Sequence, residues 1–407
     1  MLDAGMIESG IRRIGLEQEM FFVNRGWRPA PVALEVLEEA EGPFTPELAL
    51  FNFEANIEPR TLDGHCFSDL EKRIDEVVSE ARRAAKKVDS EVILTGILPT
   101  LTKSDMSLDN ITPKARYHAL NDALSEMRGG EPQQLRIEGS DELLIQHDSV
   151  MLEACNTSCQ VHLQVEADEF VKMYNACQLV TGPVLAASVN SPLLFGKLLW
   201  AETRIALFQQ SVDTRSGSVH MRELAPRVRF GDHWLQHSVT ELFQEDMARF
   251  RVLLTREVDE DPIQVLRDGG VPALQALQLN NGTVYRWNRP CYGVGGGKPH
   301  LRIECRYIPS GPTVLDEVAN SAFWIGSVLG VSDKYGDVAG QIDFEEAKAN
   351  FLTASRSGLR AGFRWLDGQI HSAKDLIQNE LLPLAKVGLT KAGVDAAEID
   401  EYLSVVR

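Results

Sequence analysis

Four short stretches of this chain alternate apolar with charged or amide side chains at a period of two. That pattern constrains the fold more than any other feature, because successive side chains of a β-strand point to opposite faces. Gly15-Leu16-Glu17-Gln18-Glu19-Met20-Phe21-Phe22-Val23 places Glu17 and Glu19 on one face. Phe53-Glu54-Ala55-Asn56-Ile57-Glu58 places Glu54, Asn56 and Glu58 opposite three apolar residues, and Pro59 is expected to end that strand. Gln160-Val161-His162-Leu163-Gln164-Val165 sets Gln160, His162 and Gln164 against three aliphatics. Leu301-Arg302-Ile303-Glu304-Cys305-Arg306-Tyr307 sets Arg302, Glu304 and Arg306 against Leu301, Ile303 and Cys305.

An antiparallel sheet commonly leaves one face in water, so alternation alone implies only half-buried strands. Solvent faces, however, mix Lys, Thr and Ser with Glu. These polar faces carry five carboxylates, a His, two Gln and two Arg. On one curved sheet they would converge, and like charges crowded away from water are costly unless cations sit between them. Hard divalent cations suit such a set, since Mg²⁺ prefers oxygen ligands in octahedral geometry. Glu17, Glu19, Glu54, Glu58, His162 and Glu304 are the candidate metal ligands. Arg302 and Arg306 can each hold a carboxylate or phosphate in two-pronged fashion. Mg²⁺ ions there would neutralise a triphosphate and stabilise charge on a transferring phosphoryl group.

A glycine-rich segment, Arg286-Trp287-Asn288-Arg289-Pro290-Cys291-Tyr292-Gly293-Val294-Gly295-Gly296-Gly297-Lys298, precedes the last of these strands. Glycine loops beside basic residues can cradle phosphates, which makes Arg289, Tyr292 and Lys298, with Gln160, candidate nucleotide contacts. The segment matches neither a Walker nor a Rossmann pattern, and a plain hairpin connection is the competing reading. Arg215, Arg222, Arg227 and Arg229 lie in a polar stretch, 211–233, that reads as a substrate lid or a solvated basic loop.

Elsewhere the clearest helix covers 68–88, with Ser68 and Glu71 as a capping box and an apolar stripe through Leu70, Ile74, Val77, Val78 and Ala81. A buried strand is expected over 91–98. Helices are expected over 32–40, 117–127, 198–210, 234–251, 316–329, 344–357 and 396–406. Two more are expected to be cut by proline: one from Asp168, interrupted at Gly182-Pro183, and one from Ser372, stopped by Pro383. No linker divides the 407 residues, so a single catalytic domain, mostly helical from about residue 344, is expected.

A formal charge of −18 argues against a protein that grips nucleic acid. No apolar run of about 20 residues predicts a membrane span, and Met1-Leu2-Asp3-Ala4-Gly5 lacks the basic start of a signal peptide. A cytoplasmic protein with small-molecule partners is expected, and a homo-oligomer is allowed. The six cysteines include no CxxC pair. Cys155 and Cys159 lie four apart without a second zinc-spaced pair, so reduced, buried thiols are expected.

Gly15-Leu16-Glu17-Gln18-Glu19 resembles the opening Gly-hydrophobic-Glu-x-Glu strand of glutamate–cysteine ligases and related carboxylate–amine ligases. Glu54-Ala55-Asn56-Ile57-Glu58 resembles their second acidic strand, Gln160-Val161-His162 the strand with their metal-binding His, and Val189-Asn190-Ser191-Pro192 their Ala-Asn-Ser-Pro turn. Arg302-Ile303-Glu304-Cys305-Arg306 is similar to their Ile-Glu-Val-Arg strand, whose Glu binds metal and whose Arg contacts substrate or phosphate. The motifs occur in the family's order across roughly residues 13–315. The resemblance implies an α+β, glutamine-synthetase-like fold: an antiparallel sheet curved into a funnel-shaped active site, with helices outside. It also implies ATP, two or three Mg²⁺ (or Mn²⁺), and an acyl phosphate, most naturally on the γ-carboxylate of glutamate, attacked by an amine such as that of cysteine. Between Glu54 and Glu58 it favours Glu58 as the metal ligand. Pro59-Arg60 after Glu58 and the abundance of glycine in 292–298 depart from the family pattern and leave the amine open. The alternatives are a metal-dependent phosphotransferase or hydrolase, and a catalytically silent sensor on the same fold.

Overall fold

A computed structural model describes residues 1–213, 226–254 and 258–407. The alternating stretches pair into one curled antiparallel sheet. Its strands are β1 (Arg13–Val23), β2 (Phe44–Pro46), β3 (Asn52–Thr61), β4 (Glu91–Ile93), β5 (Cys159–Val165), β6 (Asn288–Gly295) and β7 (Lys298–Cys305). Their spatial order is β6-β7-β5-β1-β3-β2. β4 pairs with the end of β1 that β5 leaves uncovered. The register places Glu17 opposite Gln160 and Asn56, Glu19 opposite Glu54, and Glu304 opposite His162 and Arg289.

The apolar face of the sheet, with Ile14, Leu16, Ala55, Val161, Leu163 and Ile303, is buried. It packs on α1 (Cys66–Lys87), α2 (Phe170–Ser188) and α3 (Val314–Tyr335). The stripe of α1 is buried as its spacing requires, each fully buried Leu, Ile or Val contributing roughly 1.5–3 kcal/mol. Outside these lie α4 (Phe344–Ser357), α5 (Leu382–Ala392) and α6 (Ala396–Val406). A Cβ on Gly330 would sit 2.1 Å from the Leu384 carbonyl oxygen, so α3 and α5 meet with their backbones almost in contact. The predicted helices over 344–357 and 396–406 coincide with α4 and α6.

Several local expectations yield to tertiary contacts. α1 begins at Cys66, which leaves Ser68 and Glu71 inside the helix. Its N-terminal amides, which lack helical partners, are met instead by Glu398 of α6, which accepts from the backbone N–H of Phe67 at 3.0 Å and of Ser68 at 3.2 Å. Glu71 accepts from the Tyr402 hydroxyl at 2.6 Å. α2 runs straight through Gly182-Pro183. Proline forfeits one helical hydrogen bond there, but residues on every side of this helix are buried, and packing outweighs that loss. Pro383 does not stop a helix: helical backbone runs unbroken from Ala373 to Ala392, with a π-helical turn over Ile377–Leu381 just before the proline. β4 covers only the first three residues of the strand expected over 91–98. The helix expected from 198 starts at Thr203, because Lys197–Leu198 pairs with Leu193–Leu194 in a small hairpin.

Of the four arginines in 211–233, Arg215 and Arg222 fall outside the described residues. Arg227 and Arg229 are buried rather than solvated. Arg227 donates to the carbonyls of Thr283 and Arg251, and Arg229 pairs with Glu245 and Asp232. All six cysteines are buried and unpaired. No helix among the described residues is long and apolar enough to cross a membrane.

Candidate active site

The sheet face turned away from the helices carries the candidate site residues. Glu17 and Glu19 stand on β1, Glu54 on β3, Gln160 and His162 on β5, Arg289 and Cys291 on β6, and Arg302 and Glu304 on β7. Arg306 continues the line of β7, its backbone N–H donating to the Trp287 carbonyl at 2.9 Å.

Glu304 is fully buried and anchors the site. It accepts from Nε and Nη2 of Arg289 at 2.7 and 2.8 Å, a two-pronged pair. Arg306 Nη1 donates both to Glu304 and to the Gln160 side-chain oxygen. The Gln160 amide N–H donates in turn to Glu19 Oε1 at 2.8 Å, and the Ser158 backbone N–H donates to Glu19 Oε2 at 2.6 Å. His162 Nε2 lies 3.0 Å from Glu17 Oε1, and its Nδ1 lies 3.5 Å from Arg302 Nε. Arginine can only donate, so the assigned tautomer carries its proton on Nε2, toward Glu17, and leaves the Nδ1 lone pair free to accept. Arg302 also reaches His300 Nε2 at 2.7 Å.

Two hollows adjoin this network. One, of about 540 Å³, is lined by Glu17, Asn56, His162, Gln164, His300 and Arg302 among others. The other, of about 60 Å³, lies at Glu19, Glu47, Glu153, Arg204, Trp287 and Arg306. Glu17 and Glu19 are two residues apart on one strand, so about 6–7 Å separates the hollows at β1.

Charge is unevenly balanced along this face. Burial pushes Glu304 up, but Arg289 and Arg306 outweigh it and hold the carboxyl well below its ordinary value. Burial is likewise outweighed at Glu17, where the hydrogen bond from His162 lowers the carboxyl. The opposite holds toward β3. Burial, with Glu19 and Glu153 nearby, pushes Glu47 up to about 8. Burial, with Glu17, Glu47 and Glu19 nearby, pushes Glu54 up to about 9. Burial raises Glu153 to about 7, and it raises Glu19 despite Arg306. This crowd of oxygen donors holds protons where positive charge is missing, which fits hard divalent cations.

Glu17, Glu19, Glu54, Gln160, His162, Arg289, Arg302, Glu304 and Arg306 thus share one face. Glu58 does not join them. Leu16 pairs with Ile57 but Ile14 pairs with Arg60, so Glu58 and Pro59 together face Gly15 in a β-bulge. Pro59 lines the larger hollow, while Glu58 is exposed and lies 3.4 Å from Arg73 of α1. Tyr292 does not face this network either. It pairs with Leu301 on the apolar side of the hairpin, and its hydroxyl donates to the Pro272 carbonyl at 2.7 Å. Lys298 is exposed at the hairpin rim, 3.9 Å from Glu8. Arg289 is committed to Glu304. The glycine-rich segment supplies strand β6 and the hairpin turn at Gly296-Gly297, and its Gly295 and Gly296 border the larger hollow.

Sequence reasoning missed Glu47, Glu153, Arg204 and Cys291. Glu47 and Arg204 carry no period-two signal. Glu153 is the one acid within Val150-Met151-Leu152-Glu153-Ala154-Cys155, which is a usable hint. Cys291 lies two residues after Arg289, so strand alternation points to it directly.

The family model described as "Glutamate-cysteine ligase family 2 (GCS2)" matches residues 13–402. No curated protein matches the sequence. Among solved structures, a glutamate–cysteine ligase from Francisella tularensis in complex with AMP superposes with a TM-score of 0.58 at 12% identity, covering 98% of this chain and 82% of that one. A bifunctional glutathione synthetase from Pasteurella multocida gives 0.58 at 11% identity, covering 97% of this chain and 47% of that one. These likenesses establish the fold as the glutamine-synthetase-like one, with its curled antiparallel sheet and outer helices.

Proposed function

The chain belongs to glutamate–cysteine ligase family 2, a family of carboxylate–amine ligases, and from that premise we propose an ATP- and Mg²⁺-dependent reaction. A substrate carboxylate, most naturally the γ-carboxylate of glutamate, attacks the γ-phosphorus of ATP. ADP leaves and an acyl phosphate forms. An amine, such as that of cysteine, then adds to the acyl carbon. Inorganic phosphate departs with the bonding electrons, and the amine nitrogen gives up a proton as the amide forms.

One observation carries this reading: acids from β1, β3 and β7 and three arginines meet on a single concave face. Glu17, Glu19, Glu54, His162 and Glu304 would hold the metal ions. When bound, these ions would supply neutralising charge for a triphosphate and a Lewis acid for the phosphoryl oxygens. Arg306 and Arg302 flank that acidic line and can fork onto carboxylate or phosphoryl oxygens. Arg289 keeps Glu304 ionised and fixed in direction. Gln160 bridges Arg306 to Glu19, so the cationic and acidic halves are set relative to each other.

The test is ADP release with glutamate and Mg²⁺ against a panel of amines and amino acids. Amine-dependent ADP release is the expected result. Amine-independent turnover would point to a phosphotransferase or hydrolase, and ATP binding without turnover to a sensor; either would overturn the ligase reading.

A further inference from the structure

A thiol stands among the carboxylates of the concave face. Of the six cysteines, only Cys291 projects onto it. Cys159 and Cys305 occupy the helix-facing side of β5 and β7, Cys66 and Cys177 lie in helices, and Cys155 lies in a 3₁₀ turn against Met106. Cys291 Sγ is 3.2 Å from Glu304 Oε2. Cys291, Glu304 and His162 are all buried, and each offers a ligand atom within 4.8 Å of the other two.

We infer that His162, Cys291 and Glu304 form a binding site for a thiophilic divalent cation of the zinc class. Zn–S and Zn–O bonds of about 2.3 and 2.1 Å at a tetrahedral angle put sulfur and oxygen about 3.6 Å apart. The Cys291–Glu304 spacing is already close to that. Glu17 holds Nε2 of His162 at 3.0 Å, which leaves Nδ1 to face a metal. A carboxylate behind a ligating imidazole is the usual arrangement that fixes such a ring. The long 3.5 Å approach of Arg302 is the only hydrogen bond Nδ1 would give up. A thiolate adds nothing for Mg²⁺ but selects strongly for softer ions.

On binding, Cys291 releases its thiol proton to solvent, and the sulfur lone pair takes the place of that hydrogen on the metal. Glu304 exchanges the thiol contact for the metal while keeping Arg289. Occupancy would take Glu304 and His162 from the hard cations, so zinc should inhibit turnover. That consequence, unlike the binding, rests on the ligase reading.

Titration of the metal-free protein with Co²⁺, a spectroscopic substitute for Zn²⁺, tests the site without any turnover. A cobalt–thiolate charge-transfer band should grow to one ion per chain, vanish on adding Zn²⁺, and persist in excess Mg²⁺. Cys291→Ser keeps a donor to Glu304 and should lose the band. X-ray absorption of the zinc-loaded wild type should show one sulfur neighbour, a readout that stands even if the variant fails to fold. No band and no sulfur neighbour in the wild type would overturn the inference, as would a band unchanged in folded Cys291→Ser. A positive titration in a protein that fails the ADP screen would leave this site standing while the ligase reading fell.

Discussion

Removing one carboxylate from the concave face should stabilise the metal-free protein. Glu54 pairs across the sheet with Glu19, near Glu17 and Glu47, and its carboxyl is raised by burial and these neighbours from 4.5 to about 9. The fold therefore holds a proton that the unfolded chain releases above pH 4.5. A raised acid makes stability fall as pH rises, from about 4.5 until the folded group itself ionises near 9. At about 1.4 kcal/mol per pH unit, the deficit reaches about 3 kcal/mol at pH 7. Glu54→Gln keeps the shape and the oxygen that accepts from Asn56 at 2.8 Å, and it has no proton to hold. With chelator present, the variant should gain up to about 3 kcal/mol, less whatever share of the proton Glu19 and Glu47 carry. Its stability should also vary less between pH 5 and 8. Denaturant midpoints across that range, with chelator and then with Mg²⁺, measure both effects. Mg²⁺ should stabilise the wild type clearly and the variant little. If Glu54→Gln is no more stable than wild type in chelator, or gains as much from Mg²⁺, the picture of a carboxylate cluster lacking cations is wrong.

Arg306→Lys keeps a charge but cannot serve Glu304 and Gln160 together and also fork onto substrate; ADP release should fall at least about 10-fold, or about 1.4 kcal/mol. Full recovery in excess Mg²⁺ would assign it to holding Glu304 rather than to the phosphoryl group. Glu58→Gln, at an exposed site with one long ion pair, should leave ADP release within about 2-fold and the denaturation midpoint within about 0.5 kcal/mol. Glu398→Ala strips two backbone acceptor contacts from the start of α1 and should cost about 2 kcal/mol in a denaturant melt, with ADP release per folded molecule unchanged.

Much of the site was legible because strand amphipathicity is local. Glu17 and Glu19, or Glu304 and Arg306, share a face whatever strand lies alongside, since the pleat alone decides it. The same holds for α4 and α6, whose polar and apolar residues follow the helical period. Glu47 and Glu153 were hidden because extended and 3₁₀ segments have no long period to read, and only tertiary placement brings them beside Glu19. Ser68 misled for a related reason. A capping box is a local solution for orphan amides, and an acid from residue 398 supplied a competing one.

Glu58 shows where local reading fails in kind. Its alternation with Glu54 and Asn56 is unbroken, and Pro59 reads naturally as the end of the strand. Proline is excluded from regular ladders because it lacks an N–H, but a strand can keep it by ending or by bulging. The two outcomes assign the preceding acid differently. If β3 ended at Pro59, Glu58 would complete the acidic face. Because β3 continues to Thr61, one extra residue must be absorbed opposite Gly15, and it is absorbed at Glu58-Pro59. A Cβ on Gly15 would meet Pro59 Cβ at 3.9 Å and His162 Cβ at 3.8 Å, ordinary van der Waals distances, so the bulge packs closely beside β1 at this position. The proline ring therefore walls the hollow, the last acid turns toward Arg73, and Glu54 is left as the acid that β3 contributes to the concave face.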